Sequence, residues 1–105
     1  MSAFRNEKVK EEIRHLASEY ISRESNRDAL ITVTNILLSD DTKYATVLFT
    51  TLPEGKEKAV RDFMKRKRAE FKEYVKNHSK IGRIPFFDFE IDEGQKSANL
   101  IYTIE

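Results

Sequence analysis

The residues able to do chemistry gather between Glu54 and Arg83, and most of them are cations. Four stand in an unbroken run, Lys65-Arg66-Lys67-Arg68, and Lys72, Lys76, Lys80 and Arg83 continue it at steps of four and three. This segment holds eleven Lys and Arg against five Asp and Glu, a net +6, while the other 75 residues carry −5. The formal total of +1 therefore conceals a basic surface on a mildly acidic body. Neighbouring like charges repel one another, and the acids needed to neutralise the run are missing locally. A cationic track about one helix long suits a phosphate backbone, because each neutralised phosphate releases counterions. An ordinary solvated helix face has the same composition without a ligand. A basic helix also suits an acidic protein partner, the alternative function for a small α+β interaction module.

The other candidates are weaker. His15 and His78 are far apart and belong to no metal-binding spacing, so each reads as a partly exposed helix residue. Asp40, Asp41, Asp88, Glu90, Asp92 and Glu93 supply the oxygens that Mg²⁺ takes, and a metal-dependent nuclease is the distant third reading. Yet Asp88 and Glu90 share a strand face, where alternation alone places polar residues toward water. No nucleophile–base pair accompanies the acids, and three scattered glycines cannot cradle a phosphate. The sequence thus gives no reason to expect an enzyme, a catalytic residue, a metal site or a cofactor.

The elements that position the cations follow from periodicity. Val9, Ile13, Leu16, Ala17, Tyr20 and Ile21 form one helical stripe, predicting a helix over 4–22 with Glu7/Lys10 and Glu11/Arg14 able to pair on its outer side. Ser22 to Asp28 loses the period and reads as a loop. Leu30–Leu38 and Tyr44–Leu52 are rich in β-branched and aromatic residues, and Ser39-Asp40-Asp41-Thr42-Lys43 between them is turn chemistry for an antiparallel hairpin. Within the second strand Ala45, Val47 and Phe49 share one face. In the basic segment Val60, Phe63, Met64, Phe71, Tyr74 and Val75 recur at helical steps, until Gly82 offers a stop. A third strand follows over 84–91, with Phe87, Phe89 and Ile91 facing one way and Asp88 and Glu90 the other. The tail 96–104 is read as a helix in preference to a strand. A helical link longer than a dozen residues joins strands two and three, so the strands belong to one mixed sheet with the helices on a single face.

At 105 residues the chain is one domain, 1–105, with room for one core. Seven Phe and four Tyr argue against disorder. The lack of cysteine fits a reducing compartment, no apolar run approaches a membrane span, and Met1 to Arg5 lacks the apolar core of a signal peptide. These features predict a cytoplasmic protein.

Several strings, in order, resemble the ribosome-binding factor A family. They are Arg5-x-x-Lys8-Val9-x-x-x-Ile13, Ile31-Thr32-Val33-Thr34-x-Ile36-x-x-Ser39-x-Asp41, Ala45-x-Val47, Pro85-x-Phe87-x-Phe89-x-x-Asp92 and Ala98-Asn99-Leu100-Ile101, spanning nearly the whole chain. The resemblance implies an α+β, type II KH-like domain of three helices on a three-stranded mixed sheet, without catalytic activity. It also implies a cytoplasmic partner of the small (30S) ribosomal subunit and its 16S rRNA, acting in late rRNA processing and in growth in the cold. A monomer is expected. Lys65, Arg66, Lys67, Arg68, Lys72, Lys76, Lys80 and Arg83 are then expected to face RNA phosphates, with Arg5 and Lys8 as helpers. KH-like domains often bind single strands, whose bases stack on exposed aromatics; Phe86 and Tyr74 are candidates, although core packing is the expected use of each. One departure stands out. The family carries Ala-x-Gly at a kink between its second and third helices, where this chain has Arg68-Ala69-Glu70. All three are good helix formers, which predicts a gentler bend or one long helix.

Overall fold

The computed structural model describes residues 3–24, 29–52 and 55–94, with backbone alone for 3–5. Its elements run α1 (Ala3–Glu24), β1 (Leu30–Leu38), β2 (Tyr44–Leu52), α2 (Glu57–Arg66), α3 (Arg68–His78) and β3 (Phe86–Ile91). The expected order and both of the first two strands are reproduced, and the third strand starts two residues later than expected. The expected tail helix, over 96–104, lies outside the described residues.

The sheet has the order β1-β2-β3. β1 and β2 pair antiparallel from Leu30 opposite Leu52 to Leu38 opposite Ala45, the arrangement a five-residue turn permits. Within that turn the Asp41 carboxylate accepts hydrogen bonds from the Lys43 N–H and the Ser39 hydroxyl. Those two bonds, the Lys43 one foremost, hold its pKa below the ordinary carboxylate value. β2 and β3 pair parallel, from Tyr44 opposite Phe86 to Phe49 opposite Ile91, because the intervening helices return the chain to the same end of the sheet. A bulge between Val33 and Asn35 leaves Thr34 the extra residue, and its hydroxyl bonds the Asp92 carboxylate just beyond β3.

Alternation decides which side is covered. Ala45, Val47, Phe49, Phe87 and Phe89 are buried beneath the helices, together with Ile13, Leu16, Ala17, Tyr20 and Ile21 of α1, Met64 of α2, and Phe71 and Val75 of α3. The Phe71 ring is the hub: it packs edge-on to Phe87 at 4.7 Å and Phe89 at 5.5 Å, and lies 5.2 Å from Tyr20. Aromatic edge contacts of this kind add to the stabilisation from burial itself.

Helix α1 runs through Ser22–Glu24, which the loss of apolar period assigns to a loop. Tertiary contacts replace the missing stripe: Arg23 donates to the Tyr74 hydroxyl at 3.4 Å and Glu24 accepts from Lys67 at 3.1 Å. On the outer side of α1 the pairs Lys10–Glu7 and Arg14–Glu11 form at 3.4 and 3.9 Å, both at i,i+3.

Candidate nucleic-acid interface

The basic segment is two helices, not one. α2 ends at Arg66 and α3 starts at Arg68, with Lys67 between them at φ −104°, ψ 12°. The expectation of one long helix is therefore corrected. Helix-forming residues do not prevent a break here, because this backbone conformation is open to any side chain. No glycine is required, and side chains compensate the interrupted ladder. The Lys67 N–H tightens onto the Met64 carbonyl at 2.9 Å, and the Arg68 Nε caps the Lys65 carbonyl at 2.9 Å. At the other end of α2, the Gly55 N–H donates to the Glu57 carboxylate.

Ion pairing divides the eight cations into two sets. Lys65 reaches the edge strand β3, where its ammonium lies 2.7 Å from both Asp88 Oδ1 and Glu90 Oε2. Arg68 adds a contact to Asp88 at 3.3 Å. Lys67 turns the other way and bridges Glu24 of α1 at 3.1 Å and Glu70 at 3.2 Å. Glu70 in turn accepts the Tyr20 hydroxyl at 2.8 Å, so the break is fastened to the sheet on one side and to α1 on the other. The shortage of acids holds along the chain but not in space: three of the four cations in the run are neutralised from other elements.

The titration behaviour follows this pairing. Burial opposes the charge on Lys65, but its hydrogen bonds to Asp88 and Glu90 prevail and raise its pKa. Burial likewise works against the Asp88 carboxylate, and Lys65 with the Phe89 N–H still lowers it. The Glu70 pKa is lowered by Tyr20 first and Lys67 second. Tyr20 itself is pushed far above the ordinary phenol, by burial and then by Glu70.

The second set carries no carboxylate partner among the described residues: Arg66, Lys72, Lys76, Lys80 and Arg83. Lys72 and Lys76 lie four apart on α3 and so on one side of it; Arg66, Lys76, Lys80 and Arg83 are exposed. A cleft lined by Lys65, Arg66, Arg68, Ala69, Lys72 and Phe86 opens between the helix break and β3. Arg83 sits at a separate cleft with Asp40 and Asp41, across the start of α1. The Arg5 side chain lies outside the described residues, and Lys8 is engaged within the fold.

The aromatic candidates divide as well. Tyr74 is half-buried against Tyr20, Phe71 and His78, so it packs as expected. Phe86 does not: it is 60 % exposed on the uncovered sheet face, with the Lys72 ammonium 3.7 Å from its ring centroid. Parity could have shown this, since Phe86 shares the even-numbered face with Asp88 and Glu90 while Phe87 and Phe89 fill the core. His15 pairs with Glu19 and His78 stacks on Tyr74. Among the described residues no three His, Cys, Asp or Glu side chains gather as a metal site, and Asp88 and Glu90 share the Lys65 ammonium.

Comparison with known proteins sets this geometry in context. Residues 5–104 match the family model for ribosome-binding factor A. A ribosome-binding factor A from Coprothermobacter proteolyticus is 24% identical over 108 aligned positions, covering 100% of this chain and 79% of the relative. The crystal structure of ribosome-binding factor A from Thermus thermophilus superposes with a TM-score of 0.71 at 18% identity, over 80% of this chain and 91% of that one. The solution structure of a candidate ribosome binding factor A from Thermotoga maritima gives 0.74 at 22% identity, over 90% and 92%.

Proposed function

The chain belongs to the ribosome-binding factor A family, and we propose that it is a maturation factor binding the small (30S) ribosomal subunit through its 16S rRNA. It assists late processing and assembly of that RNA as a cytoplasmic monomer, including during growth in the cold, and it performs no reaction itself. The observation that supports the RNA contact is the set of cations left without carboxylates among the described residues: Arg66 and Lys72 at the cleft beside the helix break, Lys76 on α3, and Lys80 and Arg83 beyond it. A charge with no carboxylate partner loses little on meeting a phosphate and gains the entropy of released counterions. Lys65, Lys67 and Arg68 are neutralised by their carboxylates and hold the break in shape. In the described residues no helix is long and apolar enough to cross a membrane.

Sedimentation of the tagged protein from lysate on a sucrose gradient tests this reading. Co-migration with small subunits at low salt, released progressively as salt rises, is the expected result. A wholly free pool at low salt overturns it.

A further inference from the structure

The uncovered sheet face presents two large rings side by side. Tyr44 opens β2 and Phe86 opens β3, and the parallel register pairs them directly. Each is 60 % exposed, and their centroids lie 5.9 Å apart with the planes tilted by 32°. Their chain neighbours Ala45 and Phe87 point into the core, so the strands cannot turn these rings inward without exposing that core. A hydrogen bond from the Phe86 N–H to the Lys43 carbonyl at 2.8 Å fixes the pair at the mouth of the β1–β2 turn.

Cations border the pair. Lys72 reaches from α3 over the Phe86 ring, Arg66 and Lys72 line the adjoining cleft, and Lys43, next to Tyr44 in the chain, is exposed. Asp88, the next residue on the Phe86 face, has its charge taken up by Lys65 and Arg68. An aromatic pair bordered by unpaired cations combines the two features of a surface for single-stranded nucleic acid: π faces for bases and charge for the backbone between them.

We propose that Tyr44 and Phe86 form a stacking platform for unpaired bases of single-stranded RNA, with Lys72 exchanging the Phe86 ring for a backbone phosphate as a base arrives. The inference rests on the RNA-binding reading above and narrows it to unpaired nucleotides. A duplex keeps its bases stacked on one another and offers the platform none.

The test titrates the full chain, at several salt concentrations, with a single-stranded oligoribonucleotide and with an RNA duplex of equal phosphate number. Phe86→Ala is expected to weaken single-strand binding roughly 5- to 150-fold, the effect of losing one base–aromatic stack, with the salt slope unchanged and duplex binding altered less than about twofold. Tyr44→Thr, which keeps a good strand former, is expected to act in the same direction. Lys72→Met is expected to lower the salt slope for the single strand by about 0.7. Circular dichroism establishes that each variant is folded. If both ring variants bind the single strand as the parent does, or lose single strand and duplex equally, the platform is wrong and general RNA binding stands. That result would leave the rings to a protein contact. If the parent binds neither RNA at any salt, the platform and the RNA-binding reading fall together.

Discussion

The Lys65 ammonium lies 2.7 Å from Asp88 Oδ1, joining the last turn of α2 to the edge strand across 23 residues of chain. With Glu90 at the same distance and Arg68 on the far side of Asp88, this cluster separates cations that shape the surface from cations that are free to bind. The separation makes opposite predictions for neighbouring residues.

Lys65→Met removes the central charge of a network whose members are partly exposed, and is expected to cost about 1 kcal/mol. For a domain of this size that lowers Tm by ~4–8 °C. Arg66, one residue on, meets no carboxylate among the described residues, and Arg66→Met is expected to leave Tm unchanged. Thermal unfolding of the two variants side by side checks the contrast.

The pH dependence follows from the same cluster. Asp88 and Glu70 have pKa values lowered in the fold, so the unfolded chain binds protons more readily, and stability present at neutral pH is lost as pH falls through and below the carboxylate range. Lys65 has a raised pKa, so its contribution is held at neutral pH and lost only as pH rises past the ordinary lysine range. Urea midpoints between about pH 3 and 7 are expected to fall toward acid, and Lys65→Met is expected to make that limb shallower. An equally steep limb in the variant contradicts the assignment.

Tyr20 is buried in the core and places its hydroxyl 2.8 Å from Glu70, tying α1 to the first turn of α3. Tyr20→Phe keeps the ring and removes the hydrogen bond to a carboxylate that water also reaches, and is expected to lower the urea midpoint with the fold retained. A change within error would mean that water satisfies Glu70 equally well.

Phe71 is fully buried, touching rings from α1, α3 and β3. Phe71→Ala leaves a cavity where the three meet and is expected to cost about 3–5 kcal/mol, a large share of the stability of a small domain. Calorimetry is expected to show a much lower, weakened transition.

The sheet is legible in the sequence because a half-buried strand writes its two faces in alternate residues: Ala45, Val47 and Phe49 point to the core and sit there. The mixed pairing follows from the length of the helical link. The break at Lys67 is hidden, because no local signal marks it; its compensation comes from Glu24, 43 residues away, and from the Arg68 side chain. Charge counting along the chain finds the basic segment but not its internal division. Asp88 and Glu90 meet Lys65 only after β3 has returned beside α2. Phe86 reads as core because it adjoins Phe87 in an aromatic run, yet parity sets it on the water side, where β3 has no covering helix.

The central claim is that the cations without carboxylate partners among the described residues carry the contact with a polyanion. Its most direct measurement is the salt slope of binding to isolated small ribosomal subunits, for the parent and for Arg66→Gln, Lys76→Gln, Lys80→Gln and Arg83→Gln combined. The expected result is a slope reduced by roughly 0.7–0.9 for each cation that meets a phosphate, with thermal stability retained. An unchanged slope and affinity in that folded variant would contradict the claim.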